Sequence, residues 1–188
     1  MHSTLDISNF ISAEEIKETE IKVYNATDEK TEFVDLWGVW KGKHVTTQHW
    51  VAKDQLGSVF SIIAEKLQNI LDIPFDIDKG QILQSHLAYD LHTDYFVKVD
   101  HIAEKLEGTP YYTLIIPIRD FNSNTIVFNQ SADYNDFYIY KEKNPKLKEY
   151  ISDKDWSKYC SHCWADDQKY VTLEKACSWQ QGKLIGFD

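Results

Sequence analysis

The chain has 188 residues, 43% of them hydrophobic and 27% charged, which suits one soluble domain with a sizeable core and excludes a disordered chain. Twenty Lys and Arg against thirty Asp and Glu give a net charge of −10, which disfavours nonspecific binding to nucleic acid or an anionic membrane. Aromatic residues, at 14%, are abundant and point to β-rich packing or an aromatic-lined pocket. The three cysteines, Cys160, Cys163 and Cys177, are an odd number and do not make a disulfide scaffold. No run of about 18 apolar residues exists to span a membrane. The opening MHSTLDISNF lacks the basic-then-apolar pattern of a signal peptide. The expected setting is therefore a reducing cytoplasm.

In chain order, Ser12-Ala-Glu-Glu15 fits a capping box, followed over 16–23 by a short helix or a strand. Residues 31–40 are aromatic and β-branched and read as strand, broken by Gly38. The clearest helix is predicted over 54–71, where Leu56, Val59, Phe60, Ile63, Leu67, Ile70 and Leu71 recur at three- and four-residue steps. From Gln81 the period changes to two. Strands are expected at 81–96, 111–119, 125–129, 137–140 and 183–187, with a short helix over 153–163 led by Ser152 and Asp153. The expected architecture is mainly β with packed helices, an α+β arrangement. It forms a single domain over 1–188, with N-terminal strands and a supporting helix in 1–80.

Residues 81–95 divide by parity, because successive strand residues point to opposite faces. Leu83, Leu87, Tyr89, Leu91 and Tyr95 make one face mostly apolar; Gln84, His86, Asp90, His92 and Asp94 line up on the other. Such a polar row is either a solvated sheet face or the inside wall of a polar cavity. His92-Thr93-Asp94 favours the cavity. An imidazole and a carboxylate two residues apart on a strand lie side by side, and with a second imidazole they make the 2-His-1-carboxylate set that holds Fe(II).

The stretches SHLAYDLHTDYF, YYTLIIPI, TIVFNQ and WQQGKLIGFD together resemble the Fe(II)/2-oxoglutarate-dependent oxygenases, in particular phage- and bacteria-type members. The resemblance runs over roughly 81–188, and its specific parts are H-x-D and the G-x-L-x-x-F-D ending. It implies a double-stranded β-helix, or jelly-roll, with a partial core in 81–188. It also implies Fe(II) held by His92 and Asp94, with 2-oxoglutarate as cosubstrate. The expected reaction is hydroxylase-type oxidation of a small molecule or a peptide. The family's second histidine and its basic cosubstrate anchor follow the strand that matches GKLIGFD. The chain stops at Asp188, so it is expected to be an inactive fragment lacking both.

Other residues are weighed as replacements. His86 shares the face of His92 but stands roughly 20 Å along an extended strand. His101 reads as a surface residue. His162 has a suitable sequence separation but sits in the predicted helix, where a helix-face or loop histidine is the simpler reading. Arg119 is a candidate for gripping the far carboxylate of 2-oxoglutarate, against a plain surface pair with Asp120 or another acid. Cys160-Ser-His-Cys163 opens like a zinc knuckle but has no second ligand pair, and its thiols read as buried or helix-face groups. The alternatives to an oxygenase are a non-catalytic jelly-roll binding module and a cupin-like metalloprotein.

Overall fold

The computed structural model describes residues 4–28, 39–40, 43–44, 46–51, 53–72, 77, 80–85, 112–132 and 137–187. The chain divides into two compact units, one of residues 10–89 and one of residues 1–9 with 90–188. The predicted strand at 81–96 is seen only as Gly80–Ser85, its remainder lying outside the described residues.

In the first unit, helix α1 (Ala13–Asp28) starts at the capping box read from sequence. The Ser12 N–H donates to Glu15 Oε2 at 2.8 Å and the Glu15 N–H to Ser12 Oγ at 3.2 Å. These bonds satisfy two amides that have no partner within the helix. The same carboxylate meets Lys66 Nζ at 2.6 Å on helix α2 (Lys53–Leu71), so one glutamate both caps α1 and ties it to its neighbour. Lys66 also donates to the Phe10 carbonyl at 2.9 Å. Leu56, Val59, Phe60, Ile63 and Leu67 of α2 are buried with Phe10, Ile11 and Ile16, whereas Ile70 ends up exposed near the helix end. Strands β2 (Val39–Trp40) and β3 (Lys43–His44) make a two-residue ladder. β4 (Thr46–Val51) pairs antiparallel with β5 (Gly80–Ser85), Thr46 facing Ser85 and Val51 facing Gly80.

The second unit is built on two chain segments that run antiparallel for most of their length. β6 (Thr113–Ile115) pairs with β9 (Leu184–Phe187), and β7 (Asn124–Phe128) pairs with β8 (Leu173–Ser178). The ladders belong to different sheets, so both segments turn a corner together between them. From Thr113 to Asn124 the chain uses two residues more than from Ser178 to Phe187, and this excess bends it. The corner remains hydrogen-bonded. The Gly182 N–H donates to the Pro117 carbonyl at 2.9 Å, Phe121 N–H to Trp179 O at 3.2 Å and Trp179 N–H to Ser123 O at 3.0 Å. Asp120 Oδ1 accepts from the Gln181 N–H at 2.8 Å, and Gln181 Nε2 donates to Ile118 O at 2.9 Å. Gly182 takes φ 73°, which a side chain would strain.

β1 (Leu5–Ile7) pairs with the other side of β9, giving the order β1-β9-β6. The last strand is therefore central, flanked on both sides, and its Leu184 and Ile185 are fully buried. Over the β7–β8 ladder lies a cap of helix α3 (Phe137–Lys143), helix α4 (Asp153–Tyr159) and a 3-10 turn at Ala165–Tyr170. Phe137, Tyr140, Ile151, Trp156, Cys160 and Val171 form its core, with Ile126, Phe128 and Leu173 packed against it. Ser152 caps α4 as expected, its Oγ accepting from the Asp155 N–H at 3.1 Å.

Several expectations are corrected here. Residues 137–140 are helical, not a strand: Phe137 and Tyr140, three apart, stack at 5.8 Å on the buried face, while Ile139 is exposed. Helix outweighs strand among the described residues, so the chain is mixed helix and strand rather than mainly β. The described strands form small antiparallel sheets with no closed barrel. The strand at 111–119 is shortened to β6.

Gly186 lies on the central strand of the three-stranded sheet. Leu5 and Leu114 face it from the two neighbouring strands, and a Cβ there would meet Leu5 Cδ1 and Leu114 Cδ2 at 3.1 Å and Leu5 Cβ at 3.2 Å. Gly186→Ala is therefore expected to destabilise the fold by about 1–3 kcal/mol, read from the urea midpoint. An unchanged midpoint would show that the two leucines make room without cost.

Candidate functional site

The predicted iron ligands His92 and Asp94 lie outside the described residues, as do His86 and His101. As a donor set, one imidazole and one carboxylate suit ferrous iron, whereas a thiolate-rich set would suggest zinc. The other candidates fall on separate elements. Arg119 is exposed in the corner segment between β6 and β7, and its neighbour Asp120 is engaged with the Gln181 N–H. His162 is half-buried in the turn that follows α4, outside the helix expected to carry it. Thr113 and Asn129 stand at the start of β6 and just after β7. Asn129 Nδ2 donates to Thr172 Oγ1 at 3.1 Å, which locks it against the chain entering β8.

Sequence reasoning did not anticipate a partly buried charge cluster around β1. Asp6 of β1 meets Lys183 Nζ at 2.6 Å and Lys175 Nζ at 3.3 Å. Lys183 is almost fully buried, with only 8% of its side chain exposed, so Asp6 is the counter-charge that makes its burial tolerable. Lys183 immediately precedes β9, whereas Lys175 belongs to β8 in the other sheet. The trio thus binds β1 to both sheets. A second polar contact does the same one step earlier: Glu174 Oε1 accepts from the Thr4 hydroxyl at 2.5 Å and the Thr4 N–H at 3.3 Å. Glu174 is free to reach there because a register shift between Val127 and Phe128 leaves it opposite no partner on β7. The only sequence signal for the trio was a lysine leading directly into the apolar run Leu184-Ile185.

Asp6 titrates low. Burial pushes its carboxyl up, but hydrogen bonds and charge from Lys183 and Lys175 outweigh that and hold it below the ordinary carboxylate value. Cys177, fully buried on β8, is pushed up by burial and then by the negative Asp6 beside it. It is therefore a poor nucleophile. The remaining cysteines sit together, with Cys160 buried in the cap core and Cys163 half-buried three residues on. Among the described residues no group of three or more His, Cys, Asp or Glu is gathered as a metal site would require. No helix among them is long and apolar enough to cross a membrane. Comparison of the chain with protein-family models, with curated proteins and with solved structures finds no match.

The trio makes an asymmetric prediction. Asp6→Ala leaves a buried ammonium at Lys183 without its counter-charge and is expected to cost about 3 kcal/mol or more in urea. Lys183→Met should cost less, because Asp6 keeps Lys175; the reverse order would show that Lys183 is held by other groups. The pH dependence has a definite sign. Since the folded carboxyl titrates below the unfolded one, its stabilisation is present above the ordinary carboxylate range and is lost as pH falls through the folded value. Asp6→Asn should accordingly flatten the loss of stability between neutral pH and about pH 3, measured by urea unfolding at each pH.

Proposed function

We propose that the chain is an Fe(II)- and 2-oxoglutarate-dependent oxygenase domain of jelly-roll type, with His92 and Asp94 as two of its iron ligands. The observation that carries the reading is His92-Thr93-Asp94 within an alternating run whose even positions are mostly polar, Ile82 and Ala88 apart, and whose odd positions are mostly apolar. Further support comes from the paired segments 113–128 and 173–187. Two antiparallel segments that pass together from one sheet into another, turning on extra residues at the corner, are what a double-sheet roll is made of.

The chemistry divides between iron and protein. Bound Fe(II) with 2-oxoglutarate and O2 supplies oxidative decarboxylation of the cosubstrate coupled to hydroxylation of a C–H bond. His92 would give a neutral imidazole nitrogen and Asp94 a carboxylate oxygen, leaving the remaining positions for a third protein ligand and the cosubstrate. Arg119, as the sole arginine, offers the one guanidinium fork able to grip a distal carboxylate through two parallel hydrogen bonds. The substrate class is a small molecule or a peptide side chain. The excess of acidic residues disfavours a nucleic acid.

The test is anaerobic addition of Fe(II) and 2-oxoglutarate, followed by visible absorption. A weak charge-transfer band is expected from a form of the chain extended at its C-terminus, and should vanish in His92→Ala and Asp94→Ala of that form. His162→Ala should leave it intact, and Arg119→Met should raise the 2-oxoglutarate concentration needed to develop it. Absence of the band in the extended form, together with no succinate on admitting O2 with any candidate substrate, would favour a binding module in which His92 and Asp94 are merely hydrogen-bonded.

A further inference from the structure

The segment Cys160-Ser-His-Cys163 leaves the C-terminal end of α4 as a tight turn, closed by the Cys163 N–H donating to the Cys160 carbonyl at 2.9 Å. Turns closed between residues i and i+3 hold their end Cα atoms within about 7 Å. A disulfide bridges Cα atoms about 4.4–6.8 Å apart, so the backbone already stands in the bridging range. The two thiols are near enough to interact, Cys163 favouring the thiolate of Cys160. Their access differs. Cys160 is 2% exposed within the cap core beside Trp156, whereas Cys163 is only half-buried. Cys177 is fully buried on β8 against Asp6 and takes no part in this turn.

We propose that Cys160 and Cys163 form a reversible dithiol–disulfide couple that exchanges with small-molecule disulfides, Cys163 acting as the entry thiol and Cys160 as the resolving one. In the first step the Cys163 thiol gives its proton to water, and the thiolate attacks one sulfur of an R–S–S–R molecule. The old S–S bond breaks and one RS⁻ leaves, taking up a proton. In the second step the deprotonated Cys160 sulfur attacks the Cys163 sulfur, a Cys160–Cys163 bond forms, and the second RS⁻ departs and is protonated. Two protein thiols have then lost two electrons and two protons, and the small disulfide has become two R–SH.

The local chemistry favours this pair over a lone buried thiol. The hydrogen bond from Cys163 holds the Cys160 thiol below its ordinary value, while burial works in the opposite direction. Cys160 is thus shifted toward the thiolate, whereas burial and Asp6 push Cys177 the other way. The bridge would form where α4 ends, fixing the turn between the Trp156 anchor and the 3-10 segment that leads to Val171. Oxidation therefore acts on the cap over the β7–β8 ladder.

The experiment exposes the intact 188-residue chain, without added metal, to excess glutathione disulfide. It is followed by acid quenching, alkylation of remaining thiols and peptide mapping by mass spectrometry. Two of the three thiols should be lost together, with Cys160 and Cys163 recovered as one crosslinked peptide and Cys177 alkylated. Dithiothreitol should restore all three. In Cys160→Ser a glutathione adduct should accumulate on Cys163, and in Cys163→Ser neither the crosslink nor an adduct should form at the parent's rate. Stable glutathionylation of Cys163 in the parent chain, a crosslink involving Cys177, or three unreacted thiols would each overturn the proposal.

Discussion

The pairing of residues 113–128 with 173–187 is the constraint on which the C-terminal unit depends. Each half of that pairing is too short to stand alone, since β6 pairs over three positions and β7 over five. Stability must therefore come from what is added to each half. β9 gains a second neighbour in β1, which makes it a central strand with Leu184 and Ile185 fully buried. The β7–β8 ladder gains the helical cap, whose aromatic and aliphatic core covers Ile126, Phe128 and Leu173. Between the halves the chain passes from one sheet to the other without abandoning its hydrogen bonds. The side chains of Asp120 and Gln181 take the place of ladder partners where the backbone cannot reach.

The position of β1 shows how an N-terminal strand separated by more than a hundred residues is fixed in place. Three strand pairs against β9 would be weak by themselves, and polar contacts reinforce them. Asp6 joins Lys183 at the entrance to β9 and Lys175 in the other sheet, while Thr4 is held by the bulged Glu174. A buried ion pair does not by itself make a fold more stable than an apolar substitute would. What it supplies here is register: sliding β1 by one residue would turn Asp6 away and leave Lys183 buried without a counter-charge.

Helix periodicity was legible in the sequence, and strand partnership was not. The spacing of Leu56, Val59, Phe60, Ile63 and Leu67 gave α2, Ser12 with Glu15 gave the start of α1, and Ser152 gave the start of α4. Short aromatic runs were ambiguous. Phe137-Tyr-Ile-Tyr140 alternates in no useful way, and the buried i, i+3 pair decides for helix only once the cap exists to receive it. β8 escaped notice because Lys175 and Glu174 interrupt it, and their reasons for being there, Asp6 and Thr4, lie far away in the chain. The same distance hid the Asp6 trio. H-x-D could be picked out as a candidate ligand pair because both residues fall in one alternating run of the sequence, whereas a third ligand for such a pair would come from elsewhere and leave no local mark; the pair itself lies outside the described residues.

The two functional readings draw on opposite kinds of donor, and the chain keeps them apart. Imidazole and carboxylate are the donors suited to ferrous iron, and the run from Gln81 to Phe96 that carries them contains no cysteine. All three thiols come after residue 159, and two of them share a turn. A thiolate in the H-x-D run would draw softer metals and would be open to oxidation by iron and dioxygen. Placing the dithiol in the cap instead ties its oxidation state to the packing of Trp156 and Val171, which are neighbours of the ladder and not donors to a metal. The iron reading and the dithiol reading therefore fail separately: the proposed ligand pair contains no thiol, and oxidising Cys160 and Cys163 alters no imidazole or carboxylate of that pair.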